Sequence, residues 1–199
     1  MKVYHQHVPK TAGKSIKMVL KRYGLGLSTN HHKPIWKTIG KKTGVYTFAV
    51  KRNPYDRAVS SYYHIKSHHP HFNELFPVEL NINDFYHILA DNPKDWGKFP
   101  RRYKHFREQI KFLRKRDSYD ISKKINLILR FEQLNADWSE MAQTLGKINP
   151  VWKHAPRVLD VHENKSIRKP WQEELDDKSI TAINDFYSLD FELLGYEKI

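Results

Sequence analysis

At 199 residues, with 39% hydrophobic and 13% aromatic content, the chain is long enough for one packed domain and too rich in Phe, Tyr and Trp for disorder. Its 35 Lys and Arg against 22 Asp and Glu leave a formal +13, which points to an anionic partner: a nucleotide, nucleic acid, acidic or sulfated glycan, or membrane surface. The absence of Cys excludes disulfides, thiolate metal sites and thiol nucleophiles, and no signal-like or membrane-spanning apolar run occurs, so the expectation is a soluble cytoplasmic protein.

The first strand is expected over residues 2–8, before a loop containing Pro9 and Gly13. Residues 15–23 carry Ile16, Val19 and Leu20 at helical spacing, and Gly24 supplies the stop. After a polar, His- and Lys-rich stretch over 30–42, the apolar run 45–50 predicts a buried parallel strand. Asn53 as N-cap and Pro54 at the first helical position open a helix that turns Ala58, Val59, Tyr62 and Ile65 inward. A loop over 68–77 follows, and Asn83 is placed to cap a helix through Phe85, Ile88 and Leu89. A second loop over 91–100 leads into a helix predicted over 102–116, whose Tyr103, Phe106, Ile110 and Leu113 form one apolar stripe among basic faces. Residues 125–131 read as a third strong strand, and Asn135 or Asp137 caps a helix reaching Leu145 and Gly146. Asp176 or Asp177 opens the last helix, with Ile180, Ile183 and Phe186 inward. No repeat or linker interrupts this alternation of strands and helices, so the prediction is a single α/β domain over residues 1–199.

Gly13-Lys14-Ser15, at a strand-to-helix junction, looks like the end of the phosphate loop G-x-x-x-x-G-K-[ST]. Backbone N–H groups at a helix start receive an anion, and a Lys adds a full charge. The first Gly of that pattern would fall at Val8, however, and the strand over 125–131 ends in Glu132 where a magnesium-holding strand needs Asp. A P-loop kinase or NTPase is thus one alternative, with two of its parts missing. A basic nucleic-acid-binding domain is another; it would explain the +13 charge but not a second phosphate signature downstream.

That second signature is the segment 48–63, in which a strand runs into Arg52-Asn53-Pro54-Tyr55-Asp56-Arg57 and then Ser60. Together with His7-Val8-Pro9-Lys10-Thr11-Ala12-Gly13-Lys14-Ser15 it resembles the 3′-phosphate segment and the 5′-phosphosulfate loop of sulfotransferases that use 3′-phosphoadenosine 5′-phosphosulfate (PAPS). Residues 127–134 and the tail 183–196, with Phe186-Tyr187, Asp190-Phe191 and Gly195-Tyr196, resemble two later blocks of the same family. The resemblance is nearest the carbohydrate branch that includes heparan sulfate 2-O-sulfotransferases and many bacterial relatives.

The resemblance implies a P-loop-like three-layer α/β/α fold with a short central parallel sheet, PAPS as donor, adenosine 3′,5′-bisphosphate as product, and no metal. It assigns Lys10 to the bridging oxygen and 5′-phosphate, backbone N–H groups of Thr11, Ala12 and Gly13 to the phosphosulfate, and the Ser15 hydroxyl to the helix start. Lys14 departs from the Thr or Ser usual there. Arg52 and Ser60 match the 3′-phosphate ligands. The base would be a His between the two phosphate segments, where His31 and His32 stand; His32 is the first choice. Lys165 and Ser166, in the basic stretch 164–169, would close over the nucleotide or belong to a plain charged loop. The acceptor implied is a sugar or another hydroxyl compound, and the basic stretch 101–116 either lines its path or is a solvated face.

Three groups have more ordinary readings beside the functional ones. Arg57 matches a family position but could pair structurally with Asp56 or Glu132. Glu132 itself could support a Lys or Arg of the site or sit in a buried ion pair. His68-His69-Pro70-His71, without Cys or a carboxylate pair nearby, reads as a solvated loop rather than a metal site.

Overall fold

The apolar run over 45–50 is an inner strand of an all-parallel sheet. β1 (Lys2–Gln6), β2 (Leu27–Ser28), β3 (Val45–Lys51) and β4 (Leu127–Arg130) lie in the order β2-β1-β3-β4. Register pairs Tyr4 with Leu27, His5 with Phe48, and Val50 with Leu129. The helices are α1 (Gly13–Arg22), α2 (Ile35–Thr38), α3 (Pro54–His68), α4 (Ile82–Asp91), α5 (Ile110–Leu113), α6 (Leu134–Ile148), α7 (Trp171–Glu174), α8 (Asp177–Phe186) and α9 (Ser188–Leu194). The computed structural model describes residues 1–29, 33–68, 80–92, 103–159 and 168–199. It divides into two units, residues 1–52 with 109–165 and residues 53–108 with 166–199.

The sheet belongs to the first unit. Val3, Phe48, Val50 and Leu129 pack against Ile16, Val19 and Leu20 of α1 and Trp138, Met141 and Leu145 of α6. Because strand side chains alternate, Gln6 points to the other face, where its amide oxygen accepts from Thr38 of α2 at 2.8 Å. Helices thus flank a short four-stranded parallel sheet, the three-layer α/β/α class expected. β2, two residues long, is the strand that periodicity could not reveal.

The second unit is helical, with an aromatic core of Tyr55, Tyr62, Phe85, Tyr86, Phe106 and Tyr187. Asn53 Oδ1 accepts from the Tyr55 and Asp56 amides, the predicted cap of α3. Asp176 caps α8 by accepting from the Ser179 amide at 2.8 Å.

Three local expectations are corrected. The stretch 102–116 is not one helix: a 3₁₀ turn over Lys104–Phe106 and the short α5 are separated by extended Arg107. The carbonyls of His105 and Arg107 turn toward the buried Arg57 guanidinium and accept from it, at 3.0 and 2.6 Å. The cap of α4 is Asn81, which accepts from the Asn83 and Asp84 amides, while the Asn83 amide side chain bonds Glu174 O and Asp176 N. Neither Asn135 nor Asp137 caps α6: Asn135 Oδ1 takes the Leu159 amide, and the Asp137 carboxylate takes the Arg130 amide and guanidinium. Among the described residues, no helix is long and apolar enough to cross a membrane.

Candidate functional site

In the first unit, β1 leads to β2 on one side, and the chain then returns to β3 on the other. The reversal falls between β1 and β3, and the C-terminal ends of such strands are where open parallel sheets hold ligands. The loop after β1 and Arg52 after β3 stand at those ends.

The loop is stiff. Val8 and Pro9 are buried, and Thr11 Oγ1 donates back to the Val8 carbonyl at 2.9 Å. Lys10 and Ala12 hold left-handed φ values of 68° and 61° on either side of Thr11. Neither is Gly, so each conformation costs about 1–2 kcal/mol that the surroundings must offset. Successive amides in such alternating backbone converge on an anion. α1 begins directly after Ala12, with no side-chain cap and no acidic residue in its first turn, leaving its amides to a ligand. Ser15 is buried in that first turn and Lys14 is exposed.

His7 seats the junction from below. Its amide donates to Thr29 Oγ1 at 3.0 Å, and its ring presses on Gly13 so closely that a Cβ there would come within 2.3 Å of it. His5, one pleat earlier, is fully buried, with Nδ1 3.0 Å from Ser28 Oγ. Burial first, and then the neighbouring His7, hold the His5 imidazole well below its ordinary pKa, so it is neutral.

Arg52 is 7% exposed. Its Nη1 donates to the Lys10 carbonyl at 2.8 Å, and its guanidinium lies 3.8 Å from the centre of the Phe131 ring. Its backbone is gripped by the Gln109 amide, which accepts from Arg52 N at 2.9 Å and donates to Arg52 O at 2.8 Å. Gln109 therefore supplies both bonds a neighbouring strand would give. Nothing in the sequence marks that role. Beside the loop, a cavity of about 350 Å³ is lined by Ala12, Ser15, Phe131, Gln133, Leu134 and Leu159, a volume suited to a nucleoside. Phe131 too escaped the sequence reading; its place directly after β4 was the available signal.

Lys51 is partly buried, and desolvation lowers its ammonium pKa, opposed by the charge of Glu132. Glu132 is exposed, so the buried-ion-pair reading of that residue does not hold.

Ser60 lies in the second unit, 5% exposed on α3. One turn earlier, Arg57 is fully buried and faces the equally buried Asp190 of α9 at 4.0 Å. Asp56, one of the partners expected for Arg57, accepts from Arg168. The Arg57–Asp190 pair joins the second sequence block to the closing one. His31, His32, Lys165, Ser166, His69 and His71 lie outside the described residues. His68 ends α3 with Nδ1 3.1 Å from the His64 carbonyl. Among the described residues, no three His, Cys, Asp or Glu side chains are grouped to hold a metal.

The first unit thus brings together a strained amide loop, an uncapped helix start, an Arg and a nucleoside-sized cavity. No curated protein and no solved structure matches the chain significantly. A family model described as the sulfotransferase family matches residues 1–197, nearly the whole chain and both units. The chain belongs to the sulfotransferase family, which supports sulfuryl transfer as its activity and implies a nucleotide sulfate donor.

Proposed function

We propose that the protein moves a sulfuryl group from PAPS to a hydroxyl of a carbohydrate, within the branch related to heparan sulfate 2-O-sulfotransferases and their bacterial relatives. Both units would act as one cytoplasmic sulfotransferase domain. The observation that carries the donor is the Arg52–Lys10 contact, which ties the cation fitted to a 3′-phosphate to the loop fitted to a 5′-phosphosulfate. The cavity between Ala12, Ser15 and Phe131 is suited to the adenosine.

When bound, PAPS supplies an activated sulfuryl group whose leaving group is a phosphate. In-line transfer through a loose transition state places little covalent demand on the protein, so positioning and charge neutralisation dominate. The Lys10 ammonium neutralises charge growing on the bridging oxygen. The amides of Thr11, Ala12 and Gly13, with the Lys14 and Ser15 positions of the first helical turn, hold the 5′-phosphate. Arg52 grips the 3′-phosphate through its planar fork, with the Ser60 hydroxyl as a second ligand. His32, or else His31, takes the acceptor proton, and Lys165 and Ser166 close over the nucleotide.

Calorimetry with adenosine 3′,5′-bisphosphate, against ATP with magnesium, tests the donor. Metal-independent binding of the bisphosphate is expected; preference for ATP with magnesium would place the chain with kinases instead. His32→Ala should spare bisphosphate binding and lower turnover with labelled PAPS. Intact turnover would pass the role to His31, tested by the same substitution there.

A further inference from the structure

β3 outruns both of its neighbours. Its pairing with β1 ends at Ala49 opposite Gln6, and its pairing with β4 ends at Lys51 opposite Arg130. Past Arg130 the chain leaves the sheet for a 3₁₀ turn over Phe131–Gln133. Arg52 therefore stands one residue beyond the last strand pairing, yet it is only 7% exposed. A buried main-chain group left without a partner costs about 1–3 kcal/mol, and no described strand continues alongside to supply one.

Gln109 fills that gap with both halves of its amide. Its Oε1 accepts from Arg52 N at 2.9 Å, and its Nε2 donates to Arg52 O at 2.8 Å. The residue is fully buried and is itself anchored. It stands directly before α5, where its carbonyl accepts from the Phe112 amide at 2.9 Å, and Ile110, Phe112 and Leu113 of that turn are all fully buried. The chain beyond α5 returns to the sheet at Asn126, which makes two bonds with the main chain of Thr47 in β3, each at 2.8 Å. The clamp and the strand end it holds thus belong to one body, the first unit.

Such a clamp matters more for Arg than for a shorter residue. The guanidinium rides on a long stem, and its fork grips a phosphate only when two N–H groups meet the oxygens together. Where the main chain sits decides where that fork can reach. The tip of Arg52 is held by the Lys10 carbonyl at 2.8 Å and by the Phe131 ring, whose centre lies 3.8 Å away. Gln109 holds the root. We propose that Gln109 is a positioning residue of the donor site, fixing the Arg52 main chain so that the guanidinium is set for the 3′-phosphate of the nucleotide. This rests on the reading of PAPS as donor and adds to it a residue that acts through Arg52. A Gln109 that merely satisfied two buried main-chain groups would, on removal, lower stability and weaken every nucleotide alike. Positioning predicts a loss confined to ligands that carry a 3′-phosphate.

The measure is the ratio of affinities for adenosine 3′,5′-bisphosphate and adenosine 5′-phosphate, read by calorimetry on the full chain. It compares two ligands on the same folded protein, so partial unfolding of a variant does not alter it. Gln109→Met keeps the length of the side chain and removes both bonds. Its ratio should fall about tenfold, through weaker bisphosphate binding with 5′-phosphate binding unchanged. Gln109→Asn, the milder change, carries its amide one methylene short and reaches at most one of the two atoms. Its ratio should lie between those of the wild type and Gln109→Met, and it serves alone if Gln109→Met does not fold. Phe112→Leu loosens the same buried turn without touching either bond and should keep the wild-type ratio. An unchanged ratio in the Gln109 variants, or an equal fall in Phe112→Leu, would overturn the proposal while leaving the donor reading in place. A wild type that binds the two nucleotides equally would overturn the 3′-phosphate reading of Arg52, and the proposal with it.

Discussion

Arg52 Nη1 donates to the main-chain carbonyl of Lys10 at 2.8 Å, so the ends of β3 and β1 are bound together through a side chain. Because the acceptor is a carbonyl, Lys10→Ala preserves this tie and removes only the Lys10 charge. Arg52→Lys loses the fork, the tie and the packing on Phe131 together. Adenosine 3′,5′-bisphosphate should bind roughly 10-fold more weakly to Lys10→Ala, and roughly 100-fold more weakly to Arg52→Lys, equivalent to about 1.4 and 2.7 kcal/mol. Calorimetry on both variants checks the order; a milder loss from Arg52→Lys would show the tie to be dispensable.

Gly13 is required by its neighbour. An Ala there would set its Cβ 2.3 Å from the His7 ring, a displacement that overpacked sites meet at a cost of about 1–3 kcal/mol. Thermal unfolding of Gly13→Ala should show that loss, and the double variant His7→Ala/Gly13→Ala should recover part of it. An additive double variant would mean the two residues do not act on each other.

Removing one member of the Arg57–Asp190 pair leaves a buried charge without its opposite. Asp190→Asn should therefore destabilise the protein by about 3–5 kcal/mol in urea unfolding. Arg168→Gln, whose carboxylate partner Asp56 is nearer solvent than Asp190, should cost less than Asp190→Asn. Comparable losses from the two would remove the special standing of the buried pair.

His5 makes stability depend on pH. Its native pKa is below that of the unfolded chain, so as pH falls below about 6.5 the unfolded state takes up a proton that the native state refuses. Stability should drop with a slope approaching about 1.4 kcal/mol per pH unit until the native imidazole itself titrates. His5→Asn keeps a polar atom toward Ser28 and should flatten the slope between about pH 6.5 and 5. An unchanged slope would assign the proton uptake elsewhere.

The sequence announced β3 because a strand buried on both faces must be apolar throughout, and it announced α3 because Asn53-Pro54 is chemically a helix start. β2 is too short to show a period. The stretch 102–116 misled because Tyr103 and Phe106 serve the second unit's core while Ile110 and Leu113 are buried in the first unit, so a helical spacing arose without a helix. The site was legible as a motif and not as a shape. Lys and Ala carry no mark of left-handed backbone, so the strain at Lys10 and Ala12 is visible only in three dimensions. The Gln109 clamp is likewise a meeting of residues far apart in the chain.

That clamp also sets an order of events during synthesis. Residues 53–108 are made between Arg52 and the amide that holds its backbone. A nascent chain can form the loop after β1 and its tie to Arg52 early, yet the two main-chain bonds of Arg52 to the Gln109 amide wait until Gln109 has emerged, and β4 follows later still. Chains released early would display the phosphate loop with Arg52 lacking its bonds to Gln109, so truncated products should hold the nucleotide more weakly.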